Sequence, residues 1–142
     1  MDGQRIVIGV DGSPGSIAAL RVATDEARLR NAALRVVMAW QLTWPEMAIE
    51  TPRLLEQGQE HARAQLDAAL SELVVSDADL ELTAELVSGH PVPVLIEATR
   101  DATMLVVGTR GTSGVVGAFV GSVAHAVIHH AHCPVLVVPQ HG

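Results

Sequence analysis

Four short runs in this chain are apolar without interruption: IVIGV at 6–10, VVMAW at 36–40, MLVVG at 104–108 and VLVV at 135–138. A strand with one wet face alternates polar and apolar residues, whereas a continuous run suits a strand covered on both faces, as in a parallel sheet. The intervening stretches have helical spacing. Between Ser16 and Asn31, Leu20, Ala23 and Ala27 share one face, and Arg21, Asp25 and Arg28 share another. Thr51-Pro52 reads as a helix N-cap followed by proline at the first helical position. Leu55, Ala62, Leu66, Ala69 and Leu73 then form an apolar stripe, predicting a helix over 52–75. Pro91 and Pro93 fit only the entrance of a helix over about 92–100, because proline in the interior would break it. A last helix fits 121–131.

LELTAELV at 80–87 is different. Leu80, Leu82, Ala84 and Leu86 alternate with Glu81, Thr83 and Glu85, the period of a strand with one wet face, most simply at a sheet edge. The order is therefore β-α-β-α-β-α-β-α-β, with no internal repeat and no linker. Such alternation implies right-handed crossovers and a doubly wound sheet with helices on both faces. Ligands of such sheets bind beyond the carboxyl ends of the strands, where the winding direction reverses. Two loops have suitable chemistry there: VDGSPGS after the first strand and GTRGTSGVVGAFVGS after the fourth.

The 142 residues, 49% of them apolar, are expected to form one domain, 1–142. No apolar run approaches the roughly 20 residues of a membrane span. The opening MDGQRIVIGV has an acid at position 2 and no small-residue cleavage pattern, so a cytoplasmic location is expected. Cys133, the one cysteine, precedes Pro134 in an apolar segment and reads as a packed thiol. QLTWPEMAIE at 41–50 has no clear period and reads as a covering loop. Trp40 and Trp44 read as core or loop packing, with stacking on a flat ligand as the other reading.

Net charge is −7, and every basic residue is an arginine. Without a basic stripe to displace counterions, nucleic acid is not an expected partner. All 16 acids fall within 1–101, while 102–142 hold Arg110, five of the seven histidines and no acid. An anionic ligand would prefer that end.

Five glycines, 108, 111, 114, 117 and 121, crowd the second loop. Glycine lets a ligand approach the main chain with no Cβ in the way. Where the loop meets a helix, free N–H groups and the positive end of the helix dipole attract phosphate. Gly121-Ser122 sits at that entrance, and Arg110 is the fixed cation beside it. The loop is not a Walker A motif, since the chain has no lysine, and it contains no G-x-G-x-x-G. The bland alternative is a flexible connection.

Gly108, Gly111, Gly121 and Ser122 form G-x2-G-x9-G-[ST], which resembles the nucleotide-binding signature of the universal stress protein family. The resemblance runs through IVIGVDGS, the glycine series and VAHAVIHHAHCPVLVVP. It implies a five-stranded parallel sheet in the order 3-2-1-4-5, flanked by four helices. That architecture is Rossmann-like, of the adenine nucleotide alpha hydrolase type. The resemblance also implies ATP binding and a homodimer formed through the last strand, Val135, Leu136, Val137 and Val138. Carried over by position, Gly108, Gly111, Gly121 and Ser122 would hold the phosphates and ribose. Val123 would add a backbone donor, Asp11 would lie near the ribose or adenine, and Ala39 would border the base. Asp11 has a second reading, as an acid stabilising the turn before the first helix. Mg²⁺ or Mn²⁺ would bridge the phosphates, held mainly by phosphate oxygens and water. Val115, Val116, Phe119 and Val120 make the loop unusually apolar, suited to covering a ligand or meeting a partner.

Hydrolysis of ATP would need a positioned water and stabilised phosphoryl charge, and nothing in the spacing of Arg110, Asp11 or His125 compels those roles. Binding is therefore expected over fast turnover. Two other readings stand beside it. His125 and His129, an i,i+4 pair, could hold a metal ion, with solvated surface histidines as the plain alternative. The fully apolar VLVV at a sheet edge could make the chain a dimeric interaction module with an empty pocket.

Overall fold

A computed structural model describes residues 3–41, 52–73, 80–109 and 121–139. Its elements in chain order are β1 (Arg5–Gly9), α1 (Pro14–Arg30), β2 (Ala33–Trp40), α2 (Pro52–Ser71), β3 (Leu82–Ser88), α3 (Pro91–Ala98), β4 (Met104–Gly108), α4 (Ser122–His130) and β5 (Val135–Val138). The five strands form one parallel sheet in the order β3-β2-β1-β4-β5. The alternating strand is at an edge, as its pattern requires, and the continuous apolar runs of β1, β2 and β4 lie inside.

Each face of the sheet carries its own core. Ile6, Ile8, Leu34, Val36, Met38 and Val106 pack with Leu20, Ala23 and Ala27 of α1 and Leu66 and Ala69 of α2. Val7, Val37, Leu105 and Val107 point the other way, against Leu95 and Ala98 of α3 and Ala124 and Val127 of α4. Alternate residues of one strand thus feed different cores, which is why a run such as IVI is apolar at every position. Hydrophobic burial on both faces is the main contribution to stability.

The helix ends differ from the sequence expectation by a few residues, and local chemistry explains where they fall. α1 starts at Pro14 rather than Ser16, because Ser13 is its N-cap: the Ser13 hydroxyl accepts from the Ser16 amide at 3.3 Å, with proline in the first turn. It stops at Arg30, where Asn31 turns left-handed at φ 53°. α3 begins at Pro91, capped by the ring Nδ1 of His90, which accepts from the Val92 amide at 3.2 Å. Its last turn tightens into a 3₁₀ turn over Thr99–Asp101. The fully buried Thr99 fixes that turn by donating to the Ile96 carbonyl and accepting from the His132 amide at 3.0 Å. α2 closes at Ser71, whose hydroxyl donates to the Ala68 carbonyl at 2.7 Å. β3 is displaced slightly along the chain, although the Glu81 carbonyl already accepts from Leu34. Across β2 and β3, Arg35 and Glu85 form an ion pair on the α3 side of the sheet.

No helix among the described residues is long and apolar enough to cross a membrane.

Candidate functional site

The sheet order places β1 beside β4, with Ile6, Val7 and Ile8 level with Met104, Leu105 and Val106. The chain leaves β1 toward β2 on one side and passes from β4 to β5 on the other. The winding reverses between these two strands, leaving a crevice beyond their carboxyl ends.

On the β1 side the crevice wall is the turn Asp11–Ser16. Asp11 Oδ1 accepts from the Ser13 amide at 2.9 Å, and the Asp11 amide donates to Ser16 Oγ at 3.3 Å. Ser16 Oγ donates in turn to the Ser13 carbonyl at 3.0 Å. Gly12 turns the chain at φ 84°, a backbone state that side chains with a Cβ resist. One oxygen of Asp11 thus serves the turn, in agreement with the second reading of this residue. Among the described residues nothing donates to the other oxygen.

Gly108 closes the far end of β4 against that turn. A Cβ built there would lie 2.9 Å from the Gly15 carbonyl oxygen and 3.1 Å from its carbon, closer than real side chains come. Main chain meets main chain, so Gly108 has a packing reason to be glycine in addition to any ligand.

The next residue ties the two ends of the glycine segment together. The Thr109 amide donates to the Val138 carbonyl at 3.1 Å, and the Thr109 carbonyl accepts from the Gly121 amide. Gly121 then caps α4 in ordinary extended backbone, φ −61° and ψ 162°, with no side-chain cap. The first backbone bond of α4 runs from the His125 amide to the Gly121 carbonyl at 2.9 Å. The amides of Ser122, Val123 and Ala124 therefore precede the helical ladder and have no acceptor within it. They lie at the positive end of the helix dipole, in the part of the sequence that has no acids.

Of the residues singled out from sequence, Asp11, Gly108, Gly121, Ser122 and Val123 are gathered on this edge, joined through Ser16, Gly15 and Thr109. Ser122 is exposed and Val123 half-buried. Ala39 is on the same edge in β2, two residues beyond Val37, whose carbonyl accepts from Val10 at 3.0 Å. Trp40 ends β2, half-buried. Arg110, Gly111, Gly114, Gly117 and the apolar Val115, Val116, Phe119 and Val120 lie outside the described residues, as do Trp44, Thr51 and the rest of the 42–51 loop. Thr109 was missed from sequence, since its role is carried by main-chain atoms and leaves no side-chain signal. The capping role of Ser13 was missed as well, since the helical spacing was counted from Ser16.

A separate groove of about 660 Å³ runs between the β2–β3 edge and α3, lined by Arg35, Val87, Ser88, Val94, Glu97 and Arg100 among others. Arg35 pairs with Glu85 and Arg100 with Glu97, so its cations are already neutralised. The carboxyl edge, where the Ser122, Val123 and Ala124 amides have no acceptor within the helix, is the better anion receptor. Cys133 is half-buried against the α3–α4 core, and burial pushes its thiol above the ordinary range, partly offset by a backbone hydrogen bond from Leu105. A packed thiol with a disfavoured thiolate matches the sequence reading.

The model of the universal stress protein family matches residues 3–139. The chain belongs to the universal stress protein family. Among curated universal stress proteins, Rv2623 of Mycobacterium tuberculosis is 36% identical over 141 residues, covering 94% of this chain and 46% of that protein. The chain thus spans about half the length of the curated family members it matches. Among solved family structures, a universal stress protein in complex with cAMP is 27% identical, covers 97% of this chain and 98% of its own, and superposes with a TM-score of 0.72. The universal stress protein of Archaeoglobus fulgidus in complex with dAMP is 25% identical over 96% of this chain and 98% of its own, with a TM-score of 0.63.

Proposed function

We propose that this universal stress protein domain, residues 1–142, binds an adenine nucleotide, with ATP as the first candidate, in the crevice between β1 and β4. The observation that carries the reading is the set of amides at Ser122, Val123 and Ala124, which precede the helical ladder and have no acceptor among the described residues, next to the Gly108–Thr109 corner. Adenine nucleotides bound to two family structures add support. In this reading Gly108, Gly111, Gly121, Ser122 and Val123 receive phosphate and ribose, with Arg110 as the cation. Asp11 meets the ribose through the oxygen that the turn does not use, and Ala39 borders the base. Mg²⁺ or Mn²⁺ neutralises the phosphates, held by phosphate oxygens and water rather than by a protein cage.

The protein then works by occupancy rather than by rapid turnover. Filled and empty forms differ in assembly, and a partner in the cytoplasm reads the difference. Assembly is proposed through β5, whose apolar Val135, Leu136, Val137 and Val138 are only half-buried and pair, among the described strands, with β4 alone.

Calorimetry with ATP, with and without Mg²⁺, tests the site. Gly121→Val with Ser122→Ala should abolish the heat, since φ −61° and ψ 162° at Gly121 are open to valine and the branched side chain is added next to the Ser122 and Val123 amides. Undiminished binding by that double variant would overturn the site, and no heat from the unaltered protein would overturn nucleotide binding.

A further inference from the structure

The last helix carries a second cluster that the nucleotide reading does not use. His125 and His129 are one turn apart on α4 and exposed, while Ala124 and Val127 supply the buried face of that helix. Their ring centroids are 4.7 Å apart, at an interplanar angle of 67°. From these we infer that His125 and His129 form a two-imidazole binding site for a divalent transition-metal ion such as Zn²⁺.

The spacing is what chelation requires. With Zn–N bonds of about 2.0–2.1 Å and N–Zn–N angles of about 90–109°, two bound imidazoles have centroids about 4.5–5.2 Å apart. The observed separation lies inside that window, so small rotations of two exposed side chains suffice to aim one nitrogen of each at a shared ion. His130 does not match: its ring is 6.5 Å from that of His129, and successive helical residues diverge. The donor set also selects the metal class. Imidazole suits zinc, copper and nickel, whereas magnesium and calcium prefer the carboxylates that residues 102–142 lack. Among the described residues no group of three or more histidine, cysteine or carboxylate side chains is arranged to hold a metal. With no third ligand among the described residues, the remaining coordination positions are assigned to water or to an exogenous ligand, as in an open site. It is distinct from any phosphate-bound Mg²⁺ and does not rest on nucleotide binding.

The test uses the full chain without a polyhistidine tag or nucleotide, titrated with ZnCl₂ in a calorimeter. Zn²⁺ should bind, and His125→Asn and His129→Asn should each weaken it at least about tenfold, as expected when one of two ligands is removed. His130→Asn should change the affinity less than about twofold, and an excess of Mg²⁺ should not compete. All three side chains are exposed, and unchanged circular dichroism confirms that each variant folds. In a parallel NMR titration, the ring signals of His125 and His129 should move with Zn²⁺ while that of His132 stays in place. Absence of Zn²⁺ binding by the unaltered chain, full binding by a variant carrying both His125→Asn and His129→Asn, or equal loss in His130→Asn would overturn the assignment.

Discussion

Replacing Gly108 with alanine should lower the melting temperature clearly more than the same change at Gly9, although both glycines end a central strand. At Gly108 the added Cβ meets the Gly15 carbonyl oxygen at 2.9 Å and its carbon at 3.1 Å. These are main-chain atoms in the first turn of α1, and they cannot step aside without moving the helix. At Gly9 the contacts are as short, 2.8 and 2.9 Å, but they are to the two terminal methyl groups of Leu95, which can rotate. Overpacking costs about 1–3 kcal/mol, and alanine returns about 0.4–1 kcal/mol by restricting the unfolded chain. Because backbone cannot yield, Gly108→Ala takes the upper part of that cost, about 1.5–3 kcal/mol, for a net loss of about 0.5–2.6 kcal/mol, whereas Gly9→Ala, facing methyl groups that rotate, loses about 0–1 kcal/mol. With an unfolding entropy of about 2.1 cal/mol/K per residue, 1 kcal/mol is worth about 3 °C in a chain of 142 residues. Thermal melts followed by circular dichroism should therefore show a drop of about 2–8 °C at Gly108 and at most about 3 °C at Gly9. Gly3→Ala, where nothing lies within 4 Å, serves as the neutral control. A melt of Gly108→Ala equal to the unaltered protein, or a larger loss at Gly9, would refute the claim that β4 and α1 touch backbone to backbone.

Ser13→Ala removes the N-cap of α1 and should cost about 1 kcal/mol in urea unfolding, with Ser13→Gly costing only a few tenths. Cys133 should react with a thiol reagent at pH 8 more slowly than a small free thiol and accelerate on denaturation, because burial disfavours its thiolate. Equal rates in folded and unfolded protein would contradict that placement. Val138→Glu puts a charge on the apolar edge strand and should convert a dimer to monomer or aggregate in sedimentation. An unchanged dimer would mean that the chains meet elsewhere.

Much of the fold was legible because the two cores demand it. IVIGV and MLVVG have no polar residue to turn toward solvent, and the alternation from Leu80 to Leu86 marked β3 as an edge before any topology was known. Helix starts were less legible, because counting apolar faces locates the middle of α1 but not the Ser13 cap that sets its first residue. The 3₁₀ turn at Thr99–Asp101 was not read from sequence, since one of the bonds that hold Thr99 comes from His132, 33 residues away. The candidate site divides in the same way. Glycine spacing and the acid after β1 fall on one edge of the sheet, where Gly15 gives Gly108 a packing reason beside the ligand role that the spacing suggests. Thr109, the pivot of the arrangement, acts through its peptide groups, and a sequence reports side chains.

That last property has an evolutionary reach. The fastening of residues 109 and 121 consists of Thr109 N–H to Val138 and Gly121 N–H to Thr109, bonds that any amino acid except proline can supply. Substitutions between the two anchor points leave both bonds in place, so β4 and β5 keep their register. A descendant lineage could acquire a new ligand preference by rewriting that segment alone.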